Sequence, residues 1–244
     1  MKINLDYELI ENNKPVVVLL HGWGMNKECF EKLVPLINNN QKILSLDFFG
    51  FGKSSEPRDY FDTYEYAYYV FILLKKLEIN DVILVGHSFG GRIAILLSSI
   101  FKINVSYLIL TSSAGINKFS IIKNIKVFRY KFLKSLVRNN IVNKKYLQRF
   151  GSSDYKKANY NLKKVFVKVV NQDLQFLLKK INSPCTLIWD KKDRETPYSI
   201  CKVLNKKIKN SQILNFSSGG HFAFLYNIKK FANVINSHIN DIKY

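Results

Sequence analysis

The chain has 244 residues, about one large domain, and its 47% hydrophobic and 23% charged content excludes a disordered or collagenous protein. No apolar run approaches the roughly 18–20 residues of a membrane span; the longest, Tyr66 to Leu74, is too short. Three cysteines, Cys29, Cys185 and Cys201, lie far apart with no C-x-x-C pair, which excludes a disulfide scaffold and the common zinc patterns. With acidic residues at Asp6 and Glu8 in place of a signal-peptide core, the expectation is a soluble, cytoplasmic protein.

The formal net charge of +20 is unevenly placed. Residues 1–111 hold 11 basic and 12 acidic side chains, a net of −1, and residues 182–244 hold 10 and 4, a net of +6. Residues 112–181 hold 17 basic side chains against Asp154 and Asp173 alone, a net of +15. Such a segment suits an acidic protein, an anionic membrane or a nucleic acid. The chain-wide richness in Lys, Asn, Ile, Phe and Tyr is also what an AT-rich coding sequence produces.

In chain order, short apolar runs recur at Val16–Leu20, Ile43–Leu46, Val82–Val85, Tyr107–Leu110, Thr186–Trp189 and Ile213–Phe216. Runs of four or five apolar residues fit strands buried on both faces of a parallel sheet. Helical spacing lies between them at Lys27–Leu36, Thr63–Leu77, Gly90–Phe101, Tyr198–Lys207 and Phe224–Ile239. This alternation predicts an α/β fold, a mostly parallel doubly wound sheet. Only residues 112–181 break it, with helical patterns at Phe119–Val137, Lys144–Phe150, Asp154–Val170 and Asp173–Ile181. The segment that carries the charge is therefore predicted to be a helical lid, inserted into a core of residues 1–111 and 182–244. In Phe119–Val137 an apolar stripe lies roughly opposite Lys123, Lys126, Lys131 and Lys134.

Nine of the eleven glycines fall in four clusters just after predicted strands: Gly22 and Gly24, Gly50 and Gly52, Gly86, Gly90 and Gly91, and Gly219 and Gly220. Ligands bind at the carboxyl ends of strands in such sheets, so the clusters mark one sheet edge as a site. The strongest is Gly86-His87-Ser88-Phe89-Gly90-Gly91, a G-x-S-x-G between a strand and a helix. There the turn is sharp enough to expose a strained serine, and its neighbours must lack side chains. A serine hydroxyl near neutral pH needs a base. Of the four histidines, His87 adjoins the serine and should be turned away by the elbow, His21 belongs to the first glycine loop, and His238 lies in the last helix. His221, after the last strand, is left on the same edge as Ser88.

These motifs resemble the α/β-hydrolase fold over nearly the whole chain. His21-Gly22-Trp23-Gly24 is similar to the family's oxyanion loop. The Asp47-to-Ser54 segment resembles the D-x-x-G-x-G-x-S turn of the lidded serine esterases, and Gly219-Gly220-His221 the histidine loop. Trp189 to Pro197 matches the strand end that carries the acid. The resemblance implies a lid after the sixth strand and a triad of Ser88, Asp193 and His221, in the family's chain order. It also implies oxyanion donors from the backbone N–H groups of Trp23 and Phe89. Asp190, where glycine is usual, is a second acid three residues away, and Glu195 a third. The opening His-Gly-Trp-Gly-Met-Asn further resembles the biotin-pathway carboxylesterases.

Aromatic and apolar residues near the motifs, Met25, Phe49, Phe51 and Phe222, are expected to shape the substrate pocket, whereas Phe224 is expected in the core. The expected activity is hydrolysis of a carboxylic ester or thioester through a seryl acyl-enzyme, with no metal or organic cofactor. Relatives that use an aspartate nucleophile are disfavoured by Ser88. The alternative is a non-hydrolytic binding protein whose basic lid docks an acidic partner. For the enzyme, that lid would meet an acidic carrier protein or an anionic membrane surface; no nucleic-acid motif is present, and no nucleic-acid partner is expected.

Overall fold

The computed structural model describes residues 4–38, 40–101, 103–117, 137, 138, 143, 155 and 158–241. Seven strands form one sheet: β1 (Tyr7–Ile10), β2 (Asn13–Leu20), β3 (Gln41–Leu46), β4 (Asp81–His87), β5 (Asn104–Thr111), β6 (Cys185–Trp189) and β7 (Ser211–Asn215). Their order is β1-β3-β2-β4-β5-β6-β7. All neighbours run parallel except β1, which pairs antiparallel with β3. All six predicted strands are present. β1 is the addition: its partly exposed residues at the sheet edge never form the apolar run that marks the other six.

The strand pleat sorts the core into two layers. Val16, Val18 and Leu20 of β2 join Leu84 of β4, Leu110 of β5 and Leu187 of β6 on one face. Against them pack α1 (Thr63–Lys76), α2 (Phe89–Ser99) and α4 (Tyr198–Lys207). Val17, Leu19, Ile83, Val85 and Ile109 point to the other face, where they meet Phe30, Phe224 and the apolar side of α5 (Ile228–Asp241). Fully buried, Phe224 is a core residue as expected. α1 is closed at its start by a capping box: the Tyr64 N–H donates to Asp62 and the Asp62 N–H to Glu65.

Two predicted helices differ. Lys27–Leu36 forms two 3₁₀ turns, Lys27–Phe30 and Val34–Leu36, because Pro35 supplies no N–H for a continuous α-helix. Phe224–Ile239 is divided at Asn227 into the short turn Ala223–Tyr226 and α5. There the Asn227 side-chain amide donates to the carbonyls of Ala223 and Ser218, which draws the backbone out of helical geometry.

The long connection leaves β5, fifth in this chain's own order, and returns at β6. Within it α3 (Tyr160–Asn171) is described, capped by the Asn159 side chain accepting from the Leu162 N–H. The predicted helices Phe119–Val137 and Lys144–Phe150, with Lys123, Lys126, Lys131 and Lys134, lie outside the described residues but for Val137. At its far end Leu174, Leu177, Leu178 and Ile181 are buried in the same core as α2. That stretch forms a 3₁₀ helix over Gln175–Lys180, and Val165 and Val169 of α3 join the same core. No described helix is long and apolar enough to cross a membrane.

Candidate functional site

Ser88 stands between β4 and α2 with φ 49° and ψ −108°, a conformation that costs a non-glycine residue about 1–3 kcal/mol. Its neighbours hold it there: the Ser88 N–H donates to the Thr111 carbonyl, and the Ala114 and Gly91 N–H groups donate to the Ser88 carbonyl. The glycines let α2 dock this closely. A Cβ at Gly90 would lie 2.1 Å from the Leu20 carbonyl oxygen, and one at Gly91 would lie 2.1 Å from Ser113 Oγ. The Gly90 contact, with backbone, cannot relax without moving α2 off the sheet. Gly90→Ala is therefore expected to destabilise the fold by about 3 kcal/mol, read as a lower denaturant midpoint; an unchanged midpoint would contradict this packing.

His221 follows Gly219 and Gly220, both at positive φ, in the loop after β7. Its Nδ1 lies 3.0 Å from Asp193 Oδ2 and 3.2 Å from Oδ1, in a contact almost closed to solvent. Asp193 Oδ1 also accepts from the N–H groups of Glu195 and Thr196, at 2.9 Å each. The Thr196 hydroxyl sits 2.8 Å from Asp193 Oδ2 and 2.9 Å from the Ser112 carbonyl, either of which takes its single proton. Burial alone would raise the Asp193 carboxyl, but hydrogen bonding to His221, the His221 charge and the Thr196 donors together hold it below the ordinary carboxylate range.

The three possible acids thus separate by geometry. Asp193 meets Nδ1. Asp190 accepts from the N–H groups of Lys192 and Gly220, at 2.8 Å each, and so ties the β6 loop to the residue before His221. Glu195, largely exposed, approaches the other ring nitrogen, with Oε2 3.4 Å from Nε2. An acid that leaves Nε2 free to take a serine proton must sit at Nδ1, which only Asp193 does.

Two further histidines are locked neutral by burial. His21 is pushed down to about 4. Its Nε2 accepts from the Phe48 N–H at 3.0 Å, so its proton is on Nδ1, which donates to the Gly22 carbonyl at 2.7 Å. His87 is pushed down to about 3, by burial first and the His221 charge second. It is turned from the serine towards the histidine loop, where Nε2 donates to the His221 carbonyl at 2.9 Å. A neutral ring at each position is a fixed strut between loops.

One cleft, of about 250 Å³, gathers Ser88, Phe89, His221, Thr196, Glu195 and Trp23. Neither the Trp23 nor the Phe89 N–H has a hydrogen-bond acceptor among the described residues. The rest of the wall comes from elements that the motifs do not mark: Arg92 of α2, Ile116 after β5, Phe166, Val169 and Val170 of α3, and Ile200 of α4. Met25, Phe49, Phe51 and Phe222 are outside it. Phe49 is buried among Phe61, Tyr66 and Tyr69. Phe51 packs edge-on behind Trp23, Phe222 lies against the His87 and His221 rings, and Met25 packs on the opposite core. Of the four, Phe49 is fully buried, Phe51 is half-buried and Phe222 is exposed. Among the described residues no group of three or more His, Cys, Asp or Glu side chains is placed to hold a metal ion.

Residues 15–134 match the alpha/beta hydrolase fold family. The chain is also similar to the uncharacterized hydrolase YugF of Bacillus subtilis, 26% identical over 90% of this chain and 88% of the relative. The chain has the α/β-hydrolase fold. Among solved structures this hydrolase resembles an esterase from Exiguobacterium antarcticum at 25% identity, with a TM-score of 0.74, covering 97% of this chain and 95% of that one. The α/β-hydrolase enzyme MGS-M2, from a Medee basin deep-sea metagenome library, shares the fold at 18% identity and a TM-score of 0.79, covering 100% and 97% of the two chains. This hydrolase carries Thr196 and Arg92 at its cleft, and neither stands out in the sequence. The one available signal for Arg92 is its place four residues after Ser88, on the helix the serine begins.

Proposed function

We propose that this hydrolase cleaves a short carboxylic ester or thioester through a seryl acyl-enzyme. Ser88 Oγ attacks the carbonyl carbon while its proton passes to His221 Nε2. Asp193 holds His221 in the Nδ1-protonated tautomer and stabilises the imidazolium that forms. The negative oxygen of the tetrahedral intermediate is met by the free N–H groups of Trp23 and Phe89. As the carbon–oxygen or carbon–sulfur bond breaks, His221 returns the proton to the leaving group. Water then repeats the sequence on the acyl-enzyme and regenerates Ser88.

The observation that carries this reading is a strained serine sharing one cleft with a histidine whose Nδ1 is bound to a buried carboxylate. A cleft of about 250 Å³ favours a short acyl group, being below the roughly 300–1,000 Å³ of sites for drug-sized ligands. The net +15 of residues 112–181 supports an acidic carrier protein or an anionic lipid surface as the source of the ester.

Nitrophenyl esters of increasing acyl length test the reading. Turnover is expected to be greatest for acetate to butyrate and to fall about tenfold or more by octanoate, in the manner of small sites that exclude bulk. No turnover of any ester, with no labelling by a fluorophosphonate, would favour a binding protein on this scaffold.

A further inference from the structure

Among the described residues Arg92 is the one Lys or Arg on the cleft wall, and it is only 5% exposed. Burying a guanidinium is costly unless it is paired. Yet its single hydrogen bond among the described residues is from Nη1 to the Gln172 carbonyl, at 2.8 Å. No described carboxylate lies within ion-pair distance; Asp173 acts on it only through space. Burial lowers its pKa to about 10, so it is charged at neutral pH. Five N–H donors in a planar fork are far more than one backbone carbonyl needs.

Its position in the sequence sets the geometry. Arg92 is four residues beyond Ser88 along α2, an axial rise of about 6 Å. Helical side chains lean towards the helix start, and Arg92 lines the same cleft as Ser88.

We infer that Arg92 is a specificity residue that binds a carboxylate carried by the substrate, a few carbon atoms from the scissile carbonyl. The substrate class is the monoester of a short dicarboxylic acid. Bidentate pairing satisfies the unused donors and neutralises the buried charge. One guanidinium among the described lining residues, with the Glu195 carboxylate on the same cleft, suits a monoanion better than a phosphate dianion. In turnover the inference rests on the serine-hydrolase reading; in binding it does not.

Monomethyl glutarate and methyl valerate, nearly equal in size and differing in charge, separate the effect of the carboxylate. The wild-type enzyme is expected to hydrolyse the first with a kcat/KM at least about tenfold higher, the usual scale of a charge-assisted pair. In Arg92→Gln that ratio should fall to one or below, and in Arg92→Lys, which keeps the charge without the fork, it should be intermediate. Glutarate binding by titration calorimetry gives a readout without turnover. Ser88→Ala should bind glutarate, about tenfold more weakly once Arg92→Gln is added. Equal kcat/KM for the two esters in the wild type, or glutarate binding that ignores Arg92, would overturn the inference, as would inorganic phosphate binding more tightly than glutarate. Arg92-dependent glutarate binding with no ester turnover would uphold it and reject the serine-hydrolase reading instead.

Discussion

Ser88→Ala is expected to lower kcat for ester hydrolysis by about 10⁵–10⁶ while the fold survives. The attacking oxygen is lost, and what is left is the rate supported by oxyanion donors and substrate binding. The Ser88 side chain makes no cap hydrogen bond, and the glycines and backbone bonds that hold its φ of 49° are untouched. Circular dichroism and the thermal midpoint should therefore match the wild type. His221→Ala should cost about as much, and the double variant little more than either, because the two groups act on one proton. A Ser88→Ala enzyme that kept even a tenth of its activity would exclude Ser88 as nucleophile.

Asp193→Asn should lower kcat by about 10⁴, because an amide can hold His221 in the wrong tautomer. Asp190→Asn acts only through the Gly220 and Lys192 tethers, one of which an amide oxygen can keep, and should cost about 10–10²-fold. Glu195→Gln should cost less than about threefold, since an exposed pair contributes little. Asp193 also leaves a signature in stability. Its folded-state pKa is depressed, so its contribution is complete above the unfolded carboxylate value of about 4 and is lost as pH falls through the folded one. The difference in unfolding free energy between wild type and Asp193→Asn should accordingly be constant near neutral pH and shrink below about pH 4. A difference that grew with acid would contradict the bonding around Asp193.

Most of the sheet was legible because β2 to β6 are largely buried on both faces and read as apolar runs, and β7, the other edge, still showed Ile213, Leu214 and Phe216 together. β1 was not, since Tyr7–Ile10 lies at the edge with half its residues towards solvent. The elbow was legible because close approach at Gly86, Gly90 and Gly91 demands residues without side chains, a constraint visible in composition. His221 could be reached by elimination among four histidines. Choosing between Asp190, Asp193 and Glu195 needed the fold: they lie within six residues of one loop and differ only in which atom of the histidine loop each meets. The pocket wall was least legible. Arg92, Phe166 and Val169 come from two helices that converge only in the folded chain, and nothing in their local sequence separates a cleft residue from a core residue. The helical patterns between residues 118 and 157 fall mostly outside the described residues.

The central claim is that Ser88 becomes covalently acylated. Brief reaction with a fluorophosphonate or a nitrophenyl ester, acid quench, and peptide mass spectrometry test it most directly. The expected result is one added group per chain, on the peptide containing Gly86 to Gly91 and localised to Ser88, absent in Ser88→Ala and strongly slowed in His221→Ala. Ester hydrolysis without any adduct on that peptide, or an adduct that persists in Ser88→Ala, would contradict the account.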